Sequence, residues 1–417
     1  MIRRDKIYYW LHPITWYVIG FMTYMFIPPF FSGEGHNWEI IAVDFVATIS
    51  FSLMFKLKLP NLFKRYTANV DFKAKNDHIV IASFFLIIYI VRFYEFQLYG
   101  IYAFLHPYSR PSSLYGTLCN YLSWPYITFL ISCLYCNPQN KWKYILLLIL
   151  EVIFFVLPVM SKSYLFMFVV NFAFCHLYYK GMPRFKVKLI FVGLISTSLL
   201  FINYFGNYLG AIRSYAYINQ IEKIKDIDFA AQEKGNVLMN RLNVHQRVFD
   251  FSEQAELMAR LDKVALIGYL KYKIGIEDRL PIEHGKEIDP GGLSTYIGTQ
   301  IGYSEKTATE IPRNYVLYHY DLGIVAVILF AIFLGLFANF IYRNIWAYGN
   351  TLFPMAWFAL IFGRVATSCG VFVSTFLFQS ALLFSSFAIL YLTYCVLKQL
   401  NRITFRKKCC VTLKLPI

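Results

Sequence analysis

Residues 322–342 read LGIVAVILFAIFLGLFANFIY, an uninterrupted apolar run bounded by Asp321 and Arg343. A helix needs about 20 apolar residues to cross the roughly 30 Å of hydrocarbon in a bilayer, and this run supplies them without one charged side chain. Working outward, nine further stretches share that character: Ile14 to Phe31, Trp38 to Phe55, Ile79 to Gln97, Gly116 to Cys136, Tyr144 to Met160, Tyr164 to Tyr179, Leu189 to Leu209, Leu352 to Val371 and Thr375 to Leu397. Composition agrees. Of 417 residues, 58% are hydrophobic and 19% aromatic, and the 15% charged share falls well short of what water-soluble domains use to cover themselves. The expected fold class is an all-α polytopic membrane protein of about ten transmembrane helices with one large external, partly helical loop.

Lysine and arginine placement tests that count independently of hydropathy. With the N-terminus inside, internal connections carry Arg3, Arg4, Lys6, Lys56, Lys58, Lys64, Arg65, Lys73, Lys75, Lys141, Lys143, Lys180, Arg184, Lys186, Lys188, Arg343 and six more between Lys398 and Lys414. The short external connections carry only Arg110 and Lys162. Both termini are therefore expected in the cytoplasm, and the first apolar run is a retained span rather than a signal peptide. In a soluble chain the net charge of +16 would suggest nucleic acid. Here it reports sidedness, and no nucleic-acid partner is expected.

The chain divides into residues 1–212 with spans one to seven, 213–318 as the large external loop, 319–397 with spans eight to ten, and 398–417 as a basic cytoplasmic tail. A structureless connection as long as 213–318 is improbable, so it should fold over the membrane face. Ile218, Ile221, Ile224 and Ile227 recur roughly as an amphipathic helix would place them, Val237 to Ile274 has similar patches, and Pro281 to Pro312 has loop composition.

Charges inside apolar spans need a partner or a task. Arg92 and Glu95 stand three residues apart on one helix, so they are expected to pair; a substrate-facing role is the alternative. Asp44 and Glu151 stand alone in their spans, as residues of a proton-coupled transporter would, or as carboxyls bonded to a neighbouring helix. Arg364 lies near the outer end of the ninth span with no acid within a helical turn, and arginine keeps its proton. Arg213, just past the seventh span, and Arg313, just before the eighth, bracket the loop at the same level. Each alone could be a snorkelling anchor. Together, three guanidinium forks suit a diphosphate.

Other motif-like strings carry less. Asp226-Ile227-Asp228 matches a metal-binding DxD pattern but falls on the external side, where nucleotide sugars are not expected. His245, His284 and His319 lack a metal-spaced cluster, and Cys133-Leu134-Tyr135-Cys136 has no second cysteine pair. No metal and no cofactor is expected.

The stretch Ile311-Pro312-Arg313-Asn314-Tyr315-Val316-Leu317-Tyr318-His319-Tyr320-Asp321-Leu322-Gly323-Ile324-Val325 resembles the end of the large periplasmic loop in bacterial O-antigen polymerases of the Wzy type and in the related O-antigen ligases. Asp321-Leu322-Gly323 fits their entry into the next span. Ser161-Lys162-Ser163 and Gly210-Ala211-Ile212-Arg213 are similar to the family too, as is the arrangement of spans around one large loop. The resemblance implies a metal-independent glycosyltransferase of lipopolysaccharide biosynthesis in the bacterial inner membrane. Its substrate would be an undecaprenyl-pyrophosphate-linked oligosaccharide, with a chain-length regulator as a further candidate partner. It implies that Arg213, Arg313 and Arg364 bind the pyrophosphate and that His319 or Asp321 takes the acceptor's proton. In the ligase branch a His-Asn pair stands where Arg313-Asn314 stands here, which favours polymerase over ligase. A polyprenyl-phosphate-sugar glycosyltransferase, a polysaccharide flippase and a structural subunit are the rival readings.

Overall fold

A computed structural model describes residues 12–22, 38–58, 77–105, 114–156, 162–180, 193, 255–283, 286–288, 290, 293, 313–346 and 372–412. These are mostly helical. The helices are α1 (Pro13–Phe21), α2 (Trp38–Leu53), α3 (Asp77–Leu105), α4 (Leu114–Cys136), α5 (Lys141–Glu151), α6 (Lys162–Lys180), α7 (Ala255–Lys273), α8 (Arg313–Tyr318), α9 (Ile324–Trp346) and α10 (Val373–Thr412). A 3-10 turn, Met54–Lys56, prolongs α2, and a π-helical turn, Val152–Val156, prolongs α5. Strands β1 (Ile282–Glu283) and β2 (Lys286–Glu287) pair antiparallel in a two-residue ladder.

Among the described residues, three helical segments are long and apolar enough to cross a membrane: Trp38–Lys56, Ile324–Tyr342 and Val373–Asn401. The apolar windows in α3 and α4, His78–Tyr94 and Tyr121–Cys136, are shorter. Large apolar side chains stand exposed along these helices, among them Phe45, Ile90, Phe93, Leu329, Phe333 and Leu392. Such rows would be a liability in water and suit a lipid surround. Apart from Gly193, the expected seventh and ninth spans, 189–209 and 352–371, and the isoleucine repeat from Ile218 to Ile227 lie outside the described residues. At the C-terminus, α10 runs on to Thr412 without a break at residue 398, so the basic tail begins as a continuation of the last helix.

Local chemistry sets several boundaries. At α1, Pro13 occupies the first turn and His12 Nδ1 accepts from the Ile14 N–H at 3.2 Å. The chain passes from α8 into α9 through a turn in which Gly323 has φ +53°, a conformation that costs glycine little and a side-chain-bearing residue more. Packing then joins the elements. Helix α9 lies along α2, α4 packs between α3 and α5, and α10 packs on α3 and α4. The α2–α9 contact is close because Gly335 carries no side chain: a Cβ there would stand 2.6 Å from the Phe51 carbonyl oxygen. Nearby, Asn339 Nδ2 donates to the Met54 and Leu57 carbonyls at 2.7 and 3.1 Å, at the end of the turn that prolongs α2; the Met54 carbonyl also accepts from the Leu57 N–H at 3.2 Å.

Between α3, α4 and α5 lies a buried polar group. Arg92 pairs with Glu151 at 3.3 Å, Tyr89 donates to the same carboxylate oxygen at 2.7 Å, and Arg92 Nη2 donates to Ser123 Oγ at 2.7 Å. Arg92 thus has a carboxylate partner on another helix, Glu151, which sequence reading left standing alone; the Glu95 side chain, expected to pair with Arg92, lies outside the described residues. Arg92 points into the bundle, where Glu151 is fully buried. The π turn directly after Glu151 presents Phe155, whose ring lies 5.4 Å from the Arg92 guanidinium carbon.

Candidate functional site

The six residues of α8 touch α2, α7 and α9, and five of them, Arg313 to Leu317, are buried. Its apolar side chains explain only part of that burial. Arg313, fully enclosed, has its guanidinium carbon 4.6 Å from the Phe330 ring centroid on α9 and 5.3 Å from that of Phe376 on α10. The two rings meet edge to face at 5.7 Å. Each of two helices apolar enough to span a membrane therefore supplies an aromatic contact to one cation, which orients a planar guanidinium in a way it would not orient an ammonium.

Asn314 continues the polar line. Its Nδ2 donates to Asp44 Oδ1 at 2.5 Å and reaches Tyr17 Oη at 3.4 Å. Asp44 is buried on α2 and feels the Arg313 charge. Among the described residues its second oxygen, Oδ2, accepts no hydrogen bond. Tyr315 Oη donates to Glu39 Oε2 at 3.1 Å, one turn before Asp44 on the same helix. Burial, reinforced by the Glu39 carboxylate, pushes the Tyr315 phenol up to about 12, so it remains a donor. Arg313, Asn314, Asp44, Tyr17, Tyr315 and Glu39 thus form one polar cluster toward the N-terminal ends of α2 and α9.

The two candidate proton acceptors differ. The His319 ring packs edge-on against Tyr315 at 4.8 Å and Tyr318 at 5.5 Å. Its Nε2 is buried and has no hydrogen-bond partner among the described residues. Asp321 lies outside the cluster: its side chain is 81% exposed and bonds Lys263 at 2.7 Å on the surface. Arg213 and Arg364 fall outside the described residues, so Arg313 is the one predicted phosphate ligand that the structure places.

Sequence reasoning missed Asp262. This buried carboxylate on α7 accepts from Tyr320 Oη at 2.8 Å, from the Val373 N–H at 3.1 Å, and from Ser374 through its N–H at 3.0 Å and its hydroxyl. It caps α10 from another segment of the chain, satisfying N–H groups that a helix start leaves open. Burial pushes its carboxyl above the ordinary aspartate range, and the four donors pull against that shift. The available signal was an acid in the otherwise apolar row Met258, Ala259, Leu261 and Ala265. Asp44 was visible as a lone acid in a span, but its neighbour Arg313 is far away in sequence.

Among the described residues no group of histidine, cysteine and carboxylate side chains could hold a metal ion. Comparison with protein-family models, with curated proteins and with solved structures finds no match.

Proposed function

We propose that this chain is a lipid-linked glycan polymerase of the bacterial inner membrane. It would transfer a growing glycan from undecaprenyl pyrophosphate to a hydroxyl of a new lipid-linked repeat unit on the external face. Both termini then face the cytoplasm, and residues 213–318 form the external loop between the seventh and eighth of ten spans. The observation that carries this reading is the enclosed Arg313 guanidinium. It sits at the loop end of two helices apolar enough to span a membrane, in the short segment that resembles the polymerases.

In such a low-dielectric setting a fixed cation stabilises phosphoryl charge far better than it would in water. In the transfer, the bond from the sugar's anomeric carbon to the pyrophosphate oxygen breaks and a bond to the acceptor oxygen forms. The electron pair stays with the pyrophosphate, held by Arg313 together with Arg213 and Arg364, and the hydroxyl proton passes to a base. His319, half-buried beside Tyr315 with its Nε2 shielded from water, suits that role better than Asp321, which is solvated and already bound to Lys263. Asp44 is a positioning residue, holding Asn314 and opposing the Arg313 charge.

Lipopolysaccharide banding in a deletion strain complemented with Arg313→Lys tests the reading. One repeat unit on the core, with normal membrane levels of the variant, is expected. Normal ladders would overturn the phosphate role. Bare core with accumulating lipid-linked polymer would indicate a ligase, and bare core with lipid-linked single units would indicate a flippase.

A further inference from the structure

On α7, Glu256, Arg260, Lys263, Ile267, Leu270 and Ile274 follow one another at spacings of four and three, which places them on a single outward stripe that continues just past Lys273. The stripe changes character halfway. Its first three members are charged, and two of them engage other surface groups, Arg260 with Glu283 and Lys263 with Asp321. The last three are apolar and increasingly exposed, at 46%, 52% and 68%. The opposite face, apolar except for Asp262, is buried against α8 and α10.

The packing gives this change a direction. Asp262 sits level with Ser374 at the start of α10, while Tyr269 meets Phe378 one turn further along that helix, with ring centroids 5.3 Å apart. At about 1.5 Å per residue, seven residues along α7 advance about 10 Å while four along α10 advance about 6 Å. The C-terminal half of α7 therefore runs beside the first turns of a helix apolar enough to span a membrane. Beyond it, Gly275 reverses the chain at φ +76° between the exposed Ile274 and Ile276. Pro281 returns against Gly268, and Glu283 comes back to Arg260. Lys273 Nζ lies 5.4 and 5.3 Å from the ring centroids of Tyr269 and Tyr272, an aromatic and cationic pairing typical of a membrane–water boundary.

We infer that α7 crosses the bilayer surface between Lys263 and Ile267, so that Ile267, Leu270, Ile274 and Ile276 seat in the headgroup and upper acyl region of the leaflet while Glu256, Arg260 and Lys263 remain in water. The occupant of the apolar half-stripe is phospholipid. Lys271 is already bound to Glu277 and Lys263 to Asp321, which leaves no cationic row to demand anionic lipid. The inference does not depend on the polymerase reading.

The test places p-benzoyl-phenylalanine singly at positions 256, 260, 270 and 274 of the full-length protein, reconstituted in phosphatidylcholine vesicles containing an acyl-tagged phosphatidylcholine. Position 392, exposed on α10, is the lipid-facing control. All five positions are exposed, so the probe disturbs no buried packing. After photolysis, lipid adducts at 270 and 274 should approach the yield at 392 and exceed those at 256 and 260 at least about tenfold. Equal yields along the stripe, or lipid adducts at 392 with none at 270 and 274, would overturn the inference. So would crosslinks from 270 and 274 to protein in place of lipid.

Discussion

Asn314 donates to Asp44 Oδ1 at 2.5 Å, joining α8 to α2 across 270 positions of sequence. The bond places a buried carboxylate beside the residue that follows Arg313, and so couples the candidate phosphate ligand to a helix apolar enough to span the membrane. Losing one member of a buried charged group leaves its neighbours uncompensated, at a cost of about 3–5 kcal/mol. Asp44→Ala should destabilise the protein by that order in a thermal unfolding assay in detergent. Asp44→Asn keeps the shape but removes the charge opposing Arg313, and should shorten glycan ladders while the protein still inserts at normal levels. Full-length ladders from Asp44→Asn would show that the charge is dispensable.

Asp262 should behave as a structural tie. Asp262→Ala strands the Val373 and Ser374 N–H groups and the Tyr320 hydroxyl in a buried setting, which costs about 2–3 kcal/mol. Protease cleavage between α7 and α10 in native membranes should accelerate accordingly, and an unchanged digestion rate would contradict the tie.

The Arg92–Glu151 pair makes a different prediction, because its members share one desolvation cost. Glu151→Leu or Arg92→Leu alone should each destabilise by about 3–5 kcal/mol, whereas the double substitution should recover most of that loss. A double-mutant cycle on unfolding in detergent measures the coupling. Additive losses would mean the two side chains act independently.

At Gly335, space is the issue. An added Cβ would also lie 2.9 Å from Met54 Cβ and Cγ, so even Gly335→Ala must push α9 away from α2. A loss of about 1–3 kcal/mol is expected, with Gly335→Leu worse. Near-wild-type stability in both variants would mean that the two helices can separate at no cost.

Part of this was legible along the chain. Runs such as 322–342 announce helices because lipid accepts only internally bonded backbone, and the structure has helices where those runs are described. Arg313 stood out because a cation beside an apolar span needs a reason. The glycine of Asp321-Leu322-Gly323 was conspicuous as the entry to a span, and the left-handed turn it makes there at φ +53° came only with the structure. Other features resisted. Asp321 was singled out and Asp262 passed over, and only packing shows that the first faces water while the second is enclosed among four donors. Glu151 stood alone in its apolar run, and only packing shows that Arg92, on another helix, meets it.

The sequence by itself determined the class of molecule, because apolar length and charge asymmetry act residue by residue and need no knowledge of neighbours. Which charges meet was decided only by tertiary structure. Pairings such as Arg92 with Glu151, Asn314 with Asp44 and Asp262 with Ser374 depend on how helices far apart in the chain pack, and on which polar groups that packing closes off from water.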